Sequence, residues 1–274
     1  MDCQRIAQQA SKLATLISVI VFTFLALAHS VMANEVLDQS RKYQLQFRTG
    51  DTTVIQPWVA MLEQATKADP ENADYWYWMG YTYLAQGAQA LLAGKPAEAM
   101  PAMQKGPAAL RQALKINPNH AEALSQLGGL QTMLGPVLQL PAMAPRGVAQ
   151  MNRAVELAPE SIRVRLMRAF AGANLPAELR NRAAETEDLD YLISVSELGT
   201  AGDYIRIMRG DLDFETGKPE LARALYRSVE NTGSGASIDA RARLAALDAG
   251  GIPMTEIKAL RTAAGARCAM CHGR

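Results

Sequence analysis

The residues whose types and spacing offer the most specific chemistry stand at 268–273, as Cys268-Ala-Met-Cys271-His272-Gly273. Two thiols three positions apart lie on one side of a helical turn. Both can therefore add to two vinyl groups of one flat macrocycle while the adjacent imidazole ligates its iron. This is the spacing of covalent haem c attachment, which makes Cys268 and Cys271 candidate thioether positions and His272 the candidate axial ligand and metal-binding residue. With three cysteines and three histidines in 274 residues, a chance match is on the order of one in a few thousand. The same residues also suit a terminal disulfide or a dithiol. Zinc is poorly served, because His120 is the only histidine besides His272 after the first 33 residues, and a structural zinc site takes four ligands.

No other constellation reads as catalytic. There is no phosphate-cradling glycine loop and no Gly-x-Ser-x-Gly elbow. Acidic runs such as Glu185, Glu187 and Asp188 read as a solvated helix face. The chain is therefore expected to be a binding protein and not an enzyme. Its charge is nearly balanced, Lys+Arg 28 against Asp+Glu 27, so no strong field would gather nucleic acid. Arg5 and Lys12 precede an apolar run from Leu13 to Ala28 that ends in Val31-Met32-Ala33. This is the pattern of a secretory signal over 1–33, and it predicts a periplasmic protein. If the segment stays uncleaved, it would instead anchor the chain in the membrane, facing the periplasm.

The elements that position these groups read as helices throughout. Ala and Leu dominate, β-branched alternation is rare, and Gly or Pro falls at intervals that fit turns. Trp76, Met79, Gly80 and Tyr83 recur at helical spacing, and Leu124, Leu127 and Gly128 repeat the register. Three segments close alike, as Ala65 with Pro70, Ala113 with Pro118 and Ala154 with Pro159. Gly210, Gly217, Ala222 and Tyr226 recover the spacing later. In these residues the sequence resembles the tetratricopeptide repeat (TPR), in which small residues on each helix of a pair let the other approach. The resemblance implies an all-α fold: a helical-repeat, right-handed superhelix of antiparallel helix pairs, about four units, with irregular insertions.

Two insertions depart from the family pattern, one from Gly87 to Pro107 and a proline-rich one from Gly135 to Gly147, and Ala169 stands where Gly is expected. Inserted loops of this kind gather on one face. The organisation read from the sequence is signal 1–33, repeat domain 34–230, and a tail 231–274. That tail opens with a flexible break at Asn231-Thr232-Gly233-Ser234-Gly235 and a short helix from Ser237 to Leu247.

The resemblance also implies a concave groove that binds a protein partner of the periplasm or envelope. Six aromatics crowd residues 75–83 of a chain that is 6% aromatic. The family register turns Trp76 and Tyr83 to the core and Tyr77 and Tyr81 to the groove, with Asp74 and Leu84 beside them and Glu122, Ser125 and Thr132 on the next unit. All six also fit a second role, filling a wide helix interface. Around the cysteines, the stretch from Leu260 to Gly273 resembles the opening of a class I cytochrome c, which implies an electron-transfer protein docking a redox partner through its repeats. A remnant of such a domain is the alternative. A sixth iron ligand would come from Met254, Met208 or His120.

Overall fold

The computed structural model describes residues 34–47, 50–195 and 199–250, with no side-chain account of 136, 137, 199 and 200. The expected signal peptide, Met254 and the Cys268-Cys271-His272 motif lie outside the described residues.

Helix signals in the sequence explain where the elements begin. The stretch 34–47 is helical (α1), followed by α2 (Ile55–Ala68) and α3 (Ala73–Leu92), whose N-cap Asn72 accepts from the amides of Asp74 and Tyr75. Pro96 opens α4 (Pro96–Ile116) at a position where a missing N–H costs nothing. Then come α5 (Ala121–Val137), α6 (Met143–Leu157), α7 (Ile162–Asn174), capped by the Ser161 hydroxyl, and α8 (Arg182–Ser194), capped by Asn181. The last are α9 (Gly199–Glu215), α10 (Pro219–Arg227), again opened by proline, and α11 (Ala236–Asp248). Among the described residues these eleven helices stand with no strand. The fold is an all-α helical repeat.

Successive helices pair as α1/α2, α3/α4, α5/α6, α7/α8 and α9/α10, one pair more than the sequence register suggested, with α11 closing the stack. Glycine controls how closely the pairs approach. A Cβ on Gly80 would fall 2.7 Å from Leu110 Cγ and 3.0 Å from the Gly106 carbonyl, and a Cβ on Gly128 would fall 2.6 Å from the Gly147 carbonyl. In both pairs, backbone meets backbone where any larger residue would hold the helices apart.

The first insertion is not a loop. It lengthens α3 to 20 and α4 to 21 residues and turns over Ala93-Gly94-Lys95, with Gly94 at φ 72°. Its Ala, Leu, Gln and Glu are strong helix formers, and they carry the helix through Pro101 and Pro107. At 231–235 the chain likewise forms a compact turn where a flexible break was expected. The Thr232 hydroxyl contacts Asp203 Oδ2 at 2.7 Å, and Ser237 Oγ donates to the Val229 carbonyl at 2.9 Å. α11 then packs Ala236, Ala240, Leu244 and Leu247 against Tyr204, Ile207, Tyr226 and Val229. The boundary drawn at 230 thus cuts through a packed unit.

Two kinds of packing divide the stack. From α2 to α5 the core is aromatic and aliphatic, centred on fully buried Trp58 and Leu62 with Trp78, Leu110 and Leu127. From α7 to α11 buried ion pairs cross between helices. Arg165 and Arg168 both bind Asp188, at 2.7 and 2.6 Å; Arg180 binds Glu185 and, at 2.7 Å, Glu215; Arg243 binds Asp211 at 2.6 Å. Asp188 is 0% and Glu185 4% exposed, which corrects the reading of that run as a solvated face. The helical period turns these two carboxylates inward, and arginines on neighbouring segments neutralise them; Glu187, at 63% side-chain exposure, stays at the surface.

Trp58 ties α1, α2 and α3 together. Its indole N–H donates to Ser40 Oγ at 3.1 Å, and its ring lies 6.1 Å from Tyr43, 5.7 Å from Trp78 and 5.8 Å from Tyr81. Trp58→Ala should lower unfolding stability by about 3–5 kcal/mol in denaturant titration; a loss near that of an exposed substitution would contradict this packing.

Candidate ligand groove

The residues at the start of each first helix converge on one side of the stack. α3 and α5 begin side by side, because His120 Nε2 lies 3.1 Å from Asp74 Oδ1. His120 Nδ1 accepts the Ala123 amide at 3.3 Å and so caps α5. With Nδ1 accepting, Nε2 carries the proton and donates to Asp74. That hydrogen bond, foremost, holds the Asp74 carboxyl below its usual range, against the opposing effect of burial. The imidazole also packs 5.1 Å from the Tyr77 ring. Both ring nitrogens are thus engaged, so His120 could ligate iron only by giving up its cap or its carboxylate.

Tyr77 is 4% exposed, and burial pushes its phenol well above the ordinary tyrosine range. Next to it, α7 presents Arg163, whose Nη2 donates to Gln44 Oε1 of α1 at 3.0 Å and whose guanidinium lies 5.1 Å above the Trp78 ring. This bridge joins residues 119 positions apart. Ser125 Oγ, on α5, donates to the Val164 carbonyl of α7 at 3.5 Å. Together these contacts border a cavity of about 220 Å³.

Every described residue lining that cavity comes from a first helix: Gln44 of α1, Tyr77 and Tyr81 of α3, Glu122, Ser125 and Gln126 of α5, five residues of α7 including Arg163, Leu166, Met167 and Phe170, and Ala201, Tyr204, Ile205 and Met208 of α9. None comes from α2, α4, α6, α8 or α10. The wall is mostly apolar, with Arg163 and Glu122 as its charged members among the described residues.

Four groove positions proposed from the sequence, Tyr77, Tyr81, Glu122 and Ser125, are brought together here. Asp74 is not in the lining; its carboxylate is bound to His120. Leu84 and Thr132 are elsewhere. Leu84 packs against Gly106 between α3 and α4, and Thr132 bonds the Gly129 carbonyl and packs against Gly147 between α5 and α6. Close glycine approach turns both into the pair interface. Tyr83 faces α2, donating to Glu63 Oε1 at 3.3 Å, while Trp76 is only half-buried and donates to the Pro70 carbonyl at 2.8 Å.

The α7 and α9 walls were missed by sequence reasoning, although half of the signal was present. Tyr77 and Tyr81 stand seven and eleven residues after Pro70; Leu166 and Phe170 stand at the same offsets from Pro159, and Arg163 at the offset that Asp74 has from Pro70. The absent glycine at Ala169 obscured that register. Met208, one of the candidate sulfur ligands, lines the cavity; among the described residues, no group of three His, Cys, Asp or Glu could hold a metal ion.

Residues 61–99 match the tetratricopeptide repeat family. The matched segment runs from within α2 through α3 into α4, and so includes the Trp76-Met79-Gly80-Tyr83 register and the turn at Gly94. Comparison with curated proteins and with solved structures gave no match. Among the described residues, no helix is long and apolar enough to cross a membrane.

Proposed function

We propose that this chain is an exported adaptor of the periplasm or envelope, which seats an apolar segment of a protein partner on the first-helix groove. A helical-repeat fold is that of an interaction scaffold. One observation carries the finer reading: first helices from five stacked pairs meet at a single, mostly apolar cavity with aromatic walls. Aromatic side chains contribute large contact area at low entropic cost. The first helices satisfy their own backbone groups, so the groove suits a partner helix, whose amides are also satisfied, better than an extended strand. A photo-crosslinking residue at Tyr81 or Phe170, introduced into the full chain in its native host, should give a discrete protein adduct. The same residue at Leu221, exposed on α10, should not. Equal adducts at all three positions, or none, would overturn the groove as the docking face.

The motif at 268–273 supports a second reading. Cys268 and Cys271 would hold haem c through thioethers and His272 would ligate its iron; bound there, the haem would supply one-electron transfer, with the repeats docking a redox partner. Expressed with its signal in a host that matures cytochromes c, the chain should gain the mass of one haem and keep its visible absorption on denaturation, while Cys268→Ser/Cys271→Ser should not. A colourless product at apo mass would exclude haem and leave the adaptor reading intact.

A further inference from the structure

Arg163 differs from the other arginines held within the second half of the stack. Arg165, Arg168, Arg180, Arg209 and Arg243 each bind a carboxylate. Arg163 is held by Gln44 on one side and the Trp78 face on the other, and both partners are neutral. Among the described residues, it makes no ion pair. A guanidinium has five N–H donors in a fixed fork, and the Gln44 contact uses one of them.

This uncompensated cation borders the mostly apolar cavity. From α7, Leu166, Met167 and Phe170 continue the wall one and two turns beyond Arg163, and Met208 lies opposite on α9. Glu122 is the opposing charge in the lining; its Oε2 lies 3.7 Å from His120 Nδ1, and it makes no ion pair with Arg163. The cavity thus has one preorganised anion-binding end and an apolar body.

We infer that this cavity is a binding site for a small amphiphilic carboxylate, with the acid group on Arg163 and the hydrocarbon chain along Leu166, Met167, Phe170 and Met208. A free acid fits better than an extended peptide. Each peptide amide buried against a wall with few hydrogen-bonding groups would lose about 1–3 kcal/mol, whereas an alkyl chain has no such group to desolvate. The carboxylate gains a charge-assisted, potentially bidentate contact with a cation that has already lost its rotamer freedom to Gln44 and Trp78. The inference goes beyond the adaptor reading, and its test needs no protein partner.

The test is calorimetric titration of the full chain with octanoate, and with 1-octanol as the neutral comparator of equal chain length. Octanoate should bind, and bind more tightly than octanol. Arg163→Gln should weaken octanoate binding by about 10- to 100-fold, the range for losing a hydrogen bond to a charged group, and leave octanol unchanged. Gln44→Glu gives a sharper readout. It keeps the α1–α7 bridge and supplies the missing carboxylate, so it should weaken octanoate binding while holding or raising the melting temperature. A merely structural role for Arg163 would not separate those two effects. No octanoate binding at millimolar concentration, octanoate and octanol binding equally, or Gln44→Glu leaving octanoate affinity unchanged would each overturn the proposal, even if Arg163→Gln fails to fold.

Discussion

The geometry of this chain follows from how closely two helices of a pair can approach. Where Gly80 faces Gly106 and Gly128 faces Gly147, backbone lies against backbone. The side chains that flank these contacts, Leu84 and Thr132 among them, are consumed by the interface. What remains to each first helix is its opposite face, and on that face stand Tyr77, Tyr81, Ser125, Leu166 and Phe170. The groove is therefore a by-product of close packing. A larger residue at Gly128 would move the Glu122 and Ser125 wall relative to Arg163 before it touched any ligand.

The two halves of the stack reach stability by different means, with consequences for the site. The α2–α5 core is built on Trp58 and its aromatic neighbours, which give large apolar burial without fixed partners. The α7–α11 half relies on arginine–carboxylate pairs that are largely out of water. Such pairs add little net stability when intact but penalise any arrangement that separates them. They therefore constrain the register of α7, α8 and α9, and α7 and α9 supply most of the cavity wall. Arg163 lies where the two halves meet: its stem belongs to the ion-paired half, and its head rests on the Trp78 ring of the aromatic one.

Much of the fold was legible in the sequence, because the repeat signature encodes packing directly. Trp76-Met79-Gly80-Tyr83 and the Ala–Pro closures located α3, the ends of α2, α4 and α6, and the pairing of helices. Propensity should have identified the first insertion as helix, since Ala, Leu, Gln and Glu fill it and the helix absorbs both Pro101 and Pro107. The groove was half legible. Tyr77 and Tyr81 were found through the register at Pro70, but Arg163, Leu166 and Phe170 repeat it after Pro159 without a glycine to mark it. The Gln44–Arg163 contact left no local signal, because its residues are 119 positions apart and their meeting depends on the curvature of the whole stack. The burial of Asp188 and Glu185 was hidden for a related reason: their neutralising arginines lie on other segments or outside the helical period.

First helices far apart in sequence converge on one cavity, and the Gln44–Arg163 bridge is where that convergence can be measured. A double-mutant cycle of Gln44→Ala and Arg163→Ala, read by denaturant unfolding of the full chain, should give a coupling energy of about 0.5–3 kcal/mol, the range for residues in direct contact. Strict additivity of the two substitutions would mean that α1 and α7 do not meet, and the cavity as described would not exist.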